Sequence, residues 1–402
     1  MCCLLAVALL LAGGPPAPSA AAADLLPGGI VVKVDVSRGH SIREVTAKFP
    51  VRVESSVLAS HGIYLVRPTT PPVKNVDAYL KKLAQDIGKL RGVIYAEPDL
   101  RVKLDDTRFH AWPYGPPGTS GTSPSVFTGQ PAVSRLGLAK AHTHSRGDGM
   151  VVAVLDTGTD SDHPVLASRL AAGWDYVDDD ADPDEAAGTD DAGAEPAVGH
   201  GTFVSGLVGL AAPGARILPA RVLDDQGLGN TFLVAEAVLD TAAAGADVIN
   251  LSFGTADKFR SRVLEDALKE ARAEGVVIVA AAGNDKTTAP HYPAGFGHVL
   301  SVAALRPDGA ALAPFATYGT WVDVGAIGEK LVGPVPDGGY ATWSGASMAS
   351  GLVSGQAALV RAARPRATPD QTVTAISHAT NPLPKGSVRY GAVDLVESLD
   401  PT

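Results

Sequence analysis

The sequence predicts an α/β protein, with a large three-layer domain built on a mainly parallel sheet and a small α+β domain before it. From Pro131 onward, short apolar segments alternate with helical ones, a pattern typical of a parallel sheet covered by helices on both faces. Residues 29–104 instead follow the order β-α-β-β-α-β, which is ferredoxin-like in outline. Between them, the Pro-, Gly- and Ser-rich run 105–131 predicts an exposed linker.

Composition and charge narrow the range of functions. The chain has 402 residues, 46% of them hydrophobic and 19% charged, which indicates a globular protein with a large core. Its net charge of -10 argues against nucleic acid as a partner. Residues 24–110 hold 14 Lys and Arg against 10 Asp and Glu, a net +4, whereas the remainder holds 19 against 33, a net -14. These two segments should attract each other, and salt should weaken that attraction.

The first 23 residues are typical of a secretory signal peptide. An apolar stretch too short to span a bilayer is followed by Gly and Pro, and then by the small residues 19–23, although no Lys or Arg precedes it. Cleavage after these small residues removes Cys2 and Cys3, so the mature protein has no cysteine and depends on its core or on bound ions for stability. We therefore expect a secreted protein, extracellular or periplasmic, with no membrane attachment after cleavage.

The small domain is predicted element by element from its apolar spacing. The second helix is the clearest, because its apolar residues recur at helical intervals. The predicted strands cover 29–36, 51–58, 62–67 and 92–99, and the predicted helices cover 41–49 and 76–90. This order alone says little about function.

Three strands of the large domain lead into candidate site residues. The strand 150–155 runs directly into Asp156, the strand within 246–253 ends near Gly254, and the strand 275–282 is followed by Gly283 and Asn284. A carboxylate at the carboxyl end of a buried parallel strand lies where such folds place their sites. A turn-forming Asp and an Asn in an ordinary turn are the structural alternatives.

Two helix starts carry the other candidate groups. His200 begins a helix rich in Gly and Ser, and Ser347 stands where a Gly- and Ser-rich turn becomes an apolar helix. Such a serine is expected to have an exposed hydroxyl beside unpaired N–H groups, which suits a nucleophile whose attack creates an oxyanion. Taken singly, the serine is more often an N-cap and the histidine more often structural. The other histidines, including His163, His291 and His378, are interpreted as structural.

The order Asp156, His200, Asn284, Ser347 is more informative than any one of its members, because Asp-His-Ser differs from the order in chymotrypsin and in the α/β-hydrolases. On this order, residues 132–400 resemble subtilisin-like serine proteases (subtilases). The matching motifs are Val154-Leu155-Asp156-Thr157-Gly158, Gly199-His200-Gly201-Thr202, Ala281-Ala282-Gly283-Asn284 and Gly345-Ala346-Ser347-Met348-Ala349. The segment 29–104 resembles the family's inhibitory propeptide. The resulting division is 1–23 signal peptide, 24–104 propeptide, 105–131 linker and 132–402 catalytic domain.

The resemblance implies peptide-bond hydrolysis through an acyl-enzyme. Ser347 would attack the scissile carbonyl, His200 would transfer its proton, and Asp156 would hold the imidazole tautomer. The Asn284 side chain and the Ser347 N–H would stabilise the oxyanion.

It also implies that an extended substrate binds as an added strand. The residues expected to flank the substrate, or to border the pocket for the residue before the cut, are Gly227, Leu228, Gly229, Leu251, Ser252, Phe253, Gly254, Ala281 and Gly283. The expected partners are polypeptide substrates and the chain's own propeptide. Inhibition by the propeptide would make the protein an autoinhibited zymogen. The protein is expected to be a monomer.

Some positions depart from the family pattern. Ala346 replaces a Thr, Gly351-Leu352 replaces a Pro-His pair, and Phe203 stands where many members have a second His. None of these changes removes a catalytic group. The Ala346 and Gly351 changes are nevertheless the only support for an alternative hypothesis, a degenerate subtilase that acts as a binding module without catalysis. A third reading, in which the amino-terminal domain is the functional product as a peptidase inhibitor, is disfavoured by the intact triad.

Calcium is not expected at the family's usual site. Val165 follows His163-Pro164 where many subtilases have an Asp, and the loop after the His200 helix is short, at 210–214. The acidic run 178–184, with Asp190 and Asp191, offers oxygen ligands without regular EF-hand spacing, and a solvated acidic loop is the preferred interpretation. No cofactor is therefore predicted, and calcium bound to the acidic run is the alternative.

Overall fold

The computed structural model describes residues 28–72, 74–104, 124–185, 197–255 and 259–400. The predicted signal peptide, most of the predicted linker, and Asp190 and Asp191 lie outside these residues. No helix in the described part of the chain is both long and apolar enough to cross a membrane.

The amino-terminal domain has the predicted ferredoxin-like arrangement. Its four strands form one antiparallel sheet in the order β2-β3-β1-β4, with apolar residues of the second helix packed into its core. The elements are β1 (Ile30–Val34), α1 (Ile42–Thr46), β2 (Val51–Ser55), β3 (Ile63–Pro68), α2 (Val76–Gly88) and β4 (Val93–Pro98). The elements are shorter than predicted at most ends. For example, β1 stops before Asp35 because the Asp35 side chain accepts a hydrogen bond from Arg38 N–H in a following turn.

A further strand, β5 (Arg101–Lys103), was not predicted from the sequence. It leaves the small domain and pairs with two strands of the large domain, as described below.

The large domain is the predicted three-layer α/β structure. Its helices are α3 (Pro124–Thr128), α4 (Pro131–Arg135), α5 (Leu138–His144), α6 (His200–Ala211), α7 (Thr231–Ala243), α8 (Arg262–Ala273), α9 (Ala346–Ala363) and α10 (Pro369–His378). Its strands are β6 (Val151–Asp156), β7 (Trp174–Asp175), β8 (Arg216–Arg221), β9 (Leu228–Asn230), β10 (Val248–Leu251), β11 (Gly254–Thr255), β12 (Val277–Ala281), β13 (Leu300–Leu305), β14 (Val324–Ile327), β15 (Leu331–Val335), β16 (Gly339–Trp343), β17 (Thr380–Asn381) and β18 (Gly391–Val393).

The main sheet has the strand order β17-β18-β14-β13-β12-β10-β6-β8-β7 in the described residues. All of its pairs are parallel except β17 with β18, so the prediction of a mainly parallel sheet is confirmed. β15 and β16 form a separate antiparallel hairpin.

Strand alternation creates two cores, one on each face of the sheet. Val152 and Val154 belong to the core that contains α6 and α9, whereas Ala153 and Leu155 belong to the core that contains α7 and α8. Successive strand residues point to opposite faces, so a strand buried on both sides must be apolar throughout.

The end of the predicted linker differs from an exposed connection. Within 105–131, α3 is helical and Phe127 is buried, with its ring 5.8 Å from that of Tyr340. Because this ring packs on the large domain, residues from Pro124 onward belong to that domain and not to an exposed linker. The linker predicted from the Pro-, Gly- and Ser-rich composition therefore extends too far.

Candidate active site

Three neighbouring strands bring polar residues to one edge of the sheet. Asp156 ends β6, Ser252 follows β10 and Asn284 comes shortly after β12. In the strand order β12-β10-β6 these strands are adjacent and parallel, so their carboxyl ends meet at the same edge. With about 4.8 Å between strands, β6 and β12 are roughly 10 Å apart at this edge.

Asp156 and His200 form a buried pair. The His200 Nδ1 atom lies 2.6 Å from Asp156 Oδ1, and the two residues are 2% and 0% exposed. Asp156 Oδ1 also accepts a hydrogen bond from Thr157 N–H at 2.8 Å. With Nδ1 donating to the carboxylate, Nε2 is the ring nitrogen that retains a lone pair for proton transfer.

Two glycines allow α6 to begin this close to Asp156. Gly199 precedes the helix with φ of 92°, in the left-handed region. A Cβ atom on Gly201 would overlap the carbonyl oxygen of Gly158 and lie 3.0 Å from the Asp156 Cβ. The Gly-His-Gly sequence is therefore required by the approach of the helix start to the end of β6.

Ser347 occupies the first turn of α9. The N-cap position belongs to Gly345, so Ser347 is not the N-cap residue. Its N–H is one of the helix-start donors that have no partner within the helix. Its hydroxyl donates to the Ser252 carbonyl oxygen at 3.0 Å. The expected exposure of this hydroxyl is wrong, since the residue is only 2% exposed and lies against the segment after β10.

Asn284 is joined to the same helix start. Its Oδ1 atom accepts a hydrogen bond from Ala346 N–H at 2.9 Å, and the residue is buried. This bond engages the acceptor end of the amide, so Nδ2 is the end that offers N–H donors. The Asn284 side chain is therefore hydrogen-bonded to the residue that directly precedes Ser347 in α9.

Two aromatic rings, Trp343 and Phe203, pack beside the His200 imidazole. The imidazole centroid lies 5.4 Å from the Trp343 ring, and Trp343 stacks on Phe203 at 5.1 Å with an interplanar angle of 11°. Phe203, which stands where many subtilases have a second His, therefore supports the indole that contacts the site. The contact of Trp343 with the imidazole was not predicted from the sequence.

Glu185 was missed by the sequence analysis because its loop has no periodicity to read. Its Oε1 atom accepts hydrogen bonds from Thr202 N–H at 2.9 Å, from Thr202 Oγ1 at 3.0 Å and from Thr157 Oγ1 at 3.3 Å. Thr157 Oγ1 in turn accepts a bond from Gly201 N–H at 3.0 Å. Burial raises the pKa of Glu185, and its backbone hydrogen bonds oppose that shift.

The residues predicted to flank a substrate surround a strand of the chain itself. β5 is the central strand of a three-stranded antiparallel sheet with the order β11-β5-β9. Lys103 pairs with Leu228 and with Gly254, and Val102 pairs with Gly229. Leu104 N–H donates to the Gly227 carbonyl at 3.0 Å.

The remaining residues predicted to contact a substrate lie at or just after the carboxyl ends of β10 and β12. Leu251 ends β10, and Ser252 and Phe253 connect it to β11, while Ala281 ends β12 and Gly283 precedes Asn284 with φ of 99°. The His291 ring lies so close to Gly254 that any Cβ there would overlap it. His291, interpreted from sequence as structural, thus packs directly against the backbone of β11 at Gly254.

Two carboxylates of the small domain cap helices of the large one. Glu97 Oε1 accepts hydrogen bonds from Arg262 N–H at 2.8 Å, Val263 N–H at 2.9 Å and the Ser261 hydroxyl at 3.0 Å. These groups begin α8, where a negative charge is stabilising. Burial nevertheless raises the pKa of Glu97.

Asp99 caps α7 in the same way. Its Oδ1 atom accepts bonds from the Thr231 hydroxyl at 3.0 Å and from Phe232 N–H at 3.1 Å. Complete burial raises the pKa of Asp99 to about 7.

Basic and acidic side chains also meet across this interface. Lys33 pairs with Asp266 at 2.8 Å and His61 lies 3.0 Å from Glu270. The Arg262 guanidinium lies 4.6 Å from the Tyr95 ring centroid. In these two pairs the basic side chain belongs to the small domain and the acidic one to the large domain. This is the direction expected from the net charges of +4 and -14.

The described residues contain no group of three or more His, Cys, Asp or Glu side chains arranged to hold a metal ion. Beside the acidic run 178–184, Asp175 Oδ1 accepts backbone hydrogen bonds from Val177 and Asp178, and Arg221 pairs with both Asp175 and Asp178. A guanidinium in this position disfavours a metal cation beside it.

Comparisons with known proteins agree with this geometry. Residues 147–393 match the sequence profile of Peptidase_S8, the subtilase family. Thermitase from Thermoactinomyces vulgaris is 38% identical over 257 residues, covering 62% of this chain and 90% of thermitase. A thermophilic serine proteinase from Bacillus sp. (strain AK1) is 37% identical over 295 residues, covering 72% of this chain and 67% of that protein. The crystal structure of fervidolysin from Fervidobacterium pennivorans, a keratinolytic enzyme, superposes with a TM-score of 0.74 at 25% identity, covering 92% of this chain and 60% of fervidolysin.

Proposed function

The chain belongs to the subtilase family of serine endopeptidases, and we propose that it is a secreted enzyme of this type, made as an autoinhibited zymogen. The observation that carries the proposal is the buried hydrogen bond between His200 Nδ1 and Asp156 Oδ1 at 2.6 Å, at the sheet edge where Ser347 lies in the first turn of α9. Export rests on the signal-peptide pattern of residues 1–23.

In the first half of the reaction, Ser347 Oγ attacks the scissile carbonyl carbon and its proton passes to His200 Nε2. The hydroxyl must first leave the Ser252 carbonyl, to which it donates at 3.0 Å. His200 then donates the proton to the leaving amine, the C–N bond breaks, and an acyl-enzyme remains. His200 then takes a proton from a water molecule that attacks the ester carbonyl, and it returns this proton to Ser347 Oγ as the ester bond breaks. Asp156 keeps the proton on Nδ1 throughout and stabilises the imidazolium.

The oxyanion formed by each attack is stabilised by the Asn284 Nδ2 group and the Ser347 N–H. Asn284 is held for this task by its bond from Ala346 N–H at 2.9 Å. Loss of one such donor costs roughly 3–4 kcal/mol of transition-state stabilisation, a magnitude measured in subtilisin itself.

Autoinhibition is proposed from the position of β5. Arg101–Lys103 pairs on both sides with the segments expected to bind a substrate as an added strand. Glu97 and Asp99, just upstream, hold the small domain on α8 and α7. Cleavage near residues 104–106, or later in the linker, would leave this segment bound like a product and block the cleft until it dissociates.

A fluorophosphonate probe tests the enzymatic proposal. Processed wild-type protein should be labelled and should cleave a peptide library, whereas the Ser347→Ala variant should do neither and should accumulate as the uncleaved precursor. A folded wild-type protein that is not labelled would favour the binding-module alternative. If Ser347→Ala matures to the same species as wild type, self-cleavage is wrong.

A further inference from the structure

A polar residue stands inside an apolar strand beside the proposed nucleophile. Asn250 lies within β10, whose other three residues are apolar, and it is 0% exposed. Its neighbours in register on β6 and β12 are Val154 and Val279. An amide removed from water requires hydrogen-bond partners within the protein, so the partners of Asn250 show what this residue holds in place.

These partners form a directed chain of hydrogen bonds that ends at Ser347. The Ser354 hydroxyl donates to Asn250 Oδ1 at 2.9 Å, and Asn250 Nδ2 donates to Ser252 Oγ at 2.7 Å. Ser252 Oγ lies 3.3 Å from Ser350 Oγ, and the Ser350 hydroxyl donates to the Ser347 carbonyl oxygen at 2.9 Å. Since that carbonyl takes the one hydroxyl hydrogen of Ser350, Ser252 is the donor between the two hydroxyls.

The chain closes on itself through the nucleophile. The Ser347 hydroxyl donates to the Ser252 carbonyl oxygen at 3.0 Å, so Ser252 is joined to Ser347 both directly and through Ser350. We call Asn250, Ser252, Ser350 and Ser354 the serine–asparagine network. Each of the four is at most 1% exposed, so water does not compete for these bonds.

Two secondary-structure elements supply the network. Ser347, Ser350 and Ser354 follow one another at intervals of three and four residues in α9, so they share one face of the helix. Asn250 is two residues from Val248, which packs in the core that contains α9, so its side chain points to the same side of the sheet. The network therefore ties the first turns of α9 to the carboxyl end of β10.

Stability alone does not account for such a network. Buried, hydrogen-bonded polar groups can be replaced by apolar groups of the same shape with little loss, because the cost of burying them offsets their hydrogen bonds. Apolar packing has no preferred direction, whereas a fully satisfied network specifies one arrangement of its members. That property matters where an oxygen atom must be held in place for a reaction.

We propose that Asn250 and Ser354 are positioning residues for Ser347 in the peptide-bond hydrolysis proposed above, on which this inference rests. They fix the Ser252 segment against the α9 turn that carries the nucleophile. Neither is among the residues expected to contact a substrate. Ser354 stands seven residues after Ser347, so its loss alters the placement of the nucleophile without removing a substrate contact.

The Ser354→Ala variant tests the proposal, because it removes one buried hydroxyl. In the processed enzyme it should lower kcat on a peptide substrate by about tenfold and leave KM within about twofold, since small misplacements of a reacting group are costly. The rate of fluorophosphonate labelling should fall by a similar factor, because this reagent reacts with Ser347 without an extended substrate strand. Unchanged kcat and labelling rates, whatever the effect on stability, would overturn the proposal.

The matched control is Ser398→Ala. Ser398 is 1% exposed, and its hydroxyl oxygen accepts a hydrogen bond from Gln356 Nε2 at 3.0 Å, so this variant also breaks a buried bond to α9, but outside the network. It should lower the thermal unfolding temperature without changing kcat. An equal loss of kcat in Ser398→Ala would show that any weakening of α9 slows the reaction, and the specific role of Ser354 would be wrong.

A double-mutant cycle tests whether the network acts as one unit. Asn250→Leu breaks the same chain as Ser354→Ala, so the double variant should lose no more kcat than the more damaging single variant. Loss factors that multiply would show independent effects and overturn the network. If Asn250→Leu does not fold, Ser354→Ala and its control still decide the question.

Failure of the proposed function is distinguishable from failure of this inference. A folded, processed wild-type protein that is not labelled by the fluorophosphonate would refute the enzymatic function and the positioning role together. An active wild type whose kcat is matched by Ser354→Ala would refute the positioning role alone.

Discussion

Glu185 accepts hydrogen bonds from both the backbone N–H and the hydroxyl of Thr202, at 2.9 and 3.0 Å. Thr202 stands two residues after His200, so this carboxylate holds the helix turn that carries the proposed general base. Glu185 contacts no reacting atom and is therefore a positioning residue.

Glu185→Ala should lower kcat/KM about tenfold, mainly through kcat, because it leaves buried donors of the first α6 turn unpaired at a cost of about 1–3 kcal/mol. Glu185→Gln keeps an oxygen for Thr202 and should recover most of the activity. Steady-state kinetics on one peptide substrate provide the comparison. Equal losses in kcat for both variants would argue against positioning through hydrogen bonds.

Asn284→Ala should lower kcat by about 10²–10³-fold with little change in KM, because it removes an oxyanion donor. Asn284→Asp is the informative control. An aspartate retains an oxygen for the bond from Ala346 N–H but has no Nδ2 donor, so it should lose as much activity as the alanine variant. If Asn284→Asp is nearly as active as wild type, the Asn284 amide is not the oxyanion donor.

Dissociation of the small domain should depend on pH through Asp99. The pKa of this residue rises from its ordinary value of 3.8 to about 7 in the docked state. Its contribution to docking is therefore complete below the ordinary pKa and is lost as the pH rises through about 7. The two domains should bind about tenfold more tightly at pH 6 than at pH 8. Burial raises the pKa of Glu97 as well, which acts in the same direction.

The measurement uses the Ser347→Ala chain after another protease has cut its linker, with the affinity of the two pieces followed across this pH range. Asp99→Asn should bind with a weaker pH dependence, since it cannot titrate. Tighter binding at pH 8 than at pH 6 would contradict the assignment.

Close packing of α9 on α6 should be sensitive to one methyl group. A Cβ on Gly355 would lie 2.5 Å from the Ala211 Cβ and 2.9 Å from the Val208 carbonyl oxygen. Gly355→Ala should therefore lower the free energy of unfolding by about 1–3 kcal/mol, measured by urea denaturation in the Ser347→Ala background. Gly351→Ala is the matched control, with its nearest neighbours at 3.3 Å, and should cost less. A larger loss of unfolding free energy for Gly351→Ala than for Gly355→Ala would contradict this prediction. It would mean that α6 and α9 can move apart at Gly355 at little cost.

Several parts of the site were readable from sequence because their signals are local. Asp156 follows a fully apolar strand, and His200 stands between two glycines at a helix start. Such residues are placed by the element that carries them, and neighbouring parallel strands bring their carboxyl ends together. The order β-α-β-β-α-β likewise predicted the small domain, whose sheet order β2-β3-β1-β4 the structure confirms.

Other parts depended on partners that are distant in the chain. Arg101–Lys103 is too short to show a period, and it becomes a strand only because β9 and β11 offer it partners on both sides. Glu185 belongs to an irregular loop, and its hydrogen bonds to α6 follow from how that loop folds back. Ser347 was expected to be exposed, but the segment after β10 covers it.

The sequence by itself predicted the candidate site residues and the elements that present them, since apolar period, glycine placement and chain order are local properties. Only the tertiary structure decided what β5 pairs with and which carboxylates cap which helices. Those outcomes depend on hydrogen bonds and burial between segments far apart in the chain, and no local pattern encodes them.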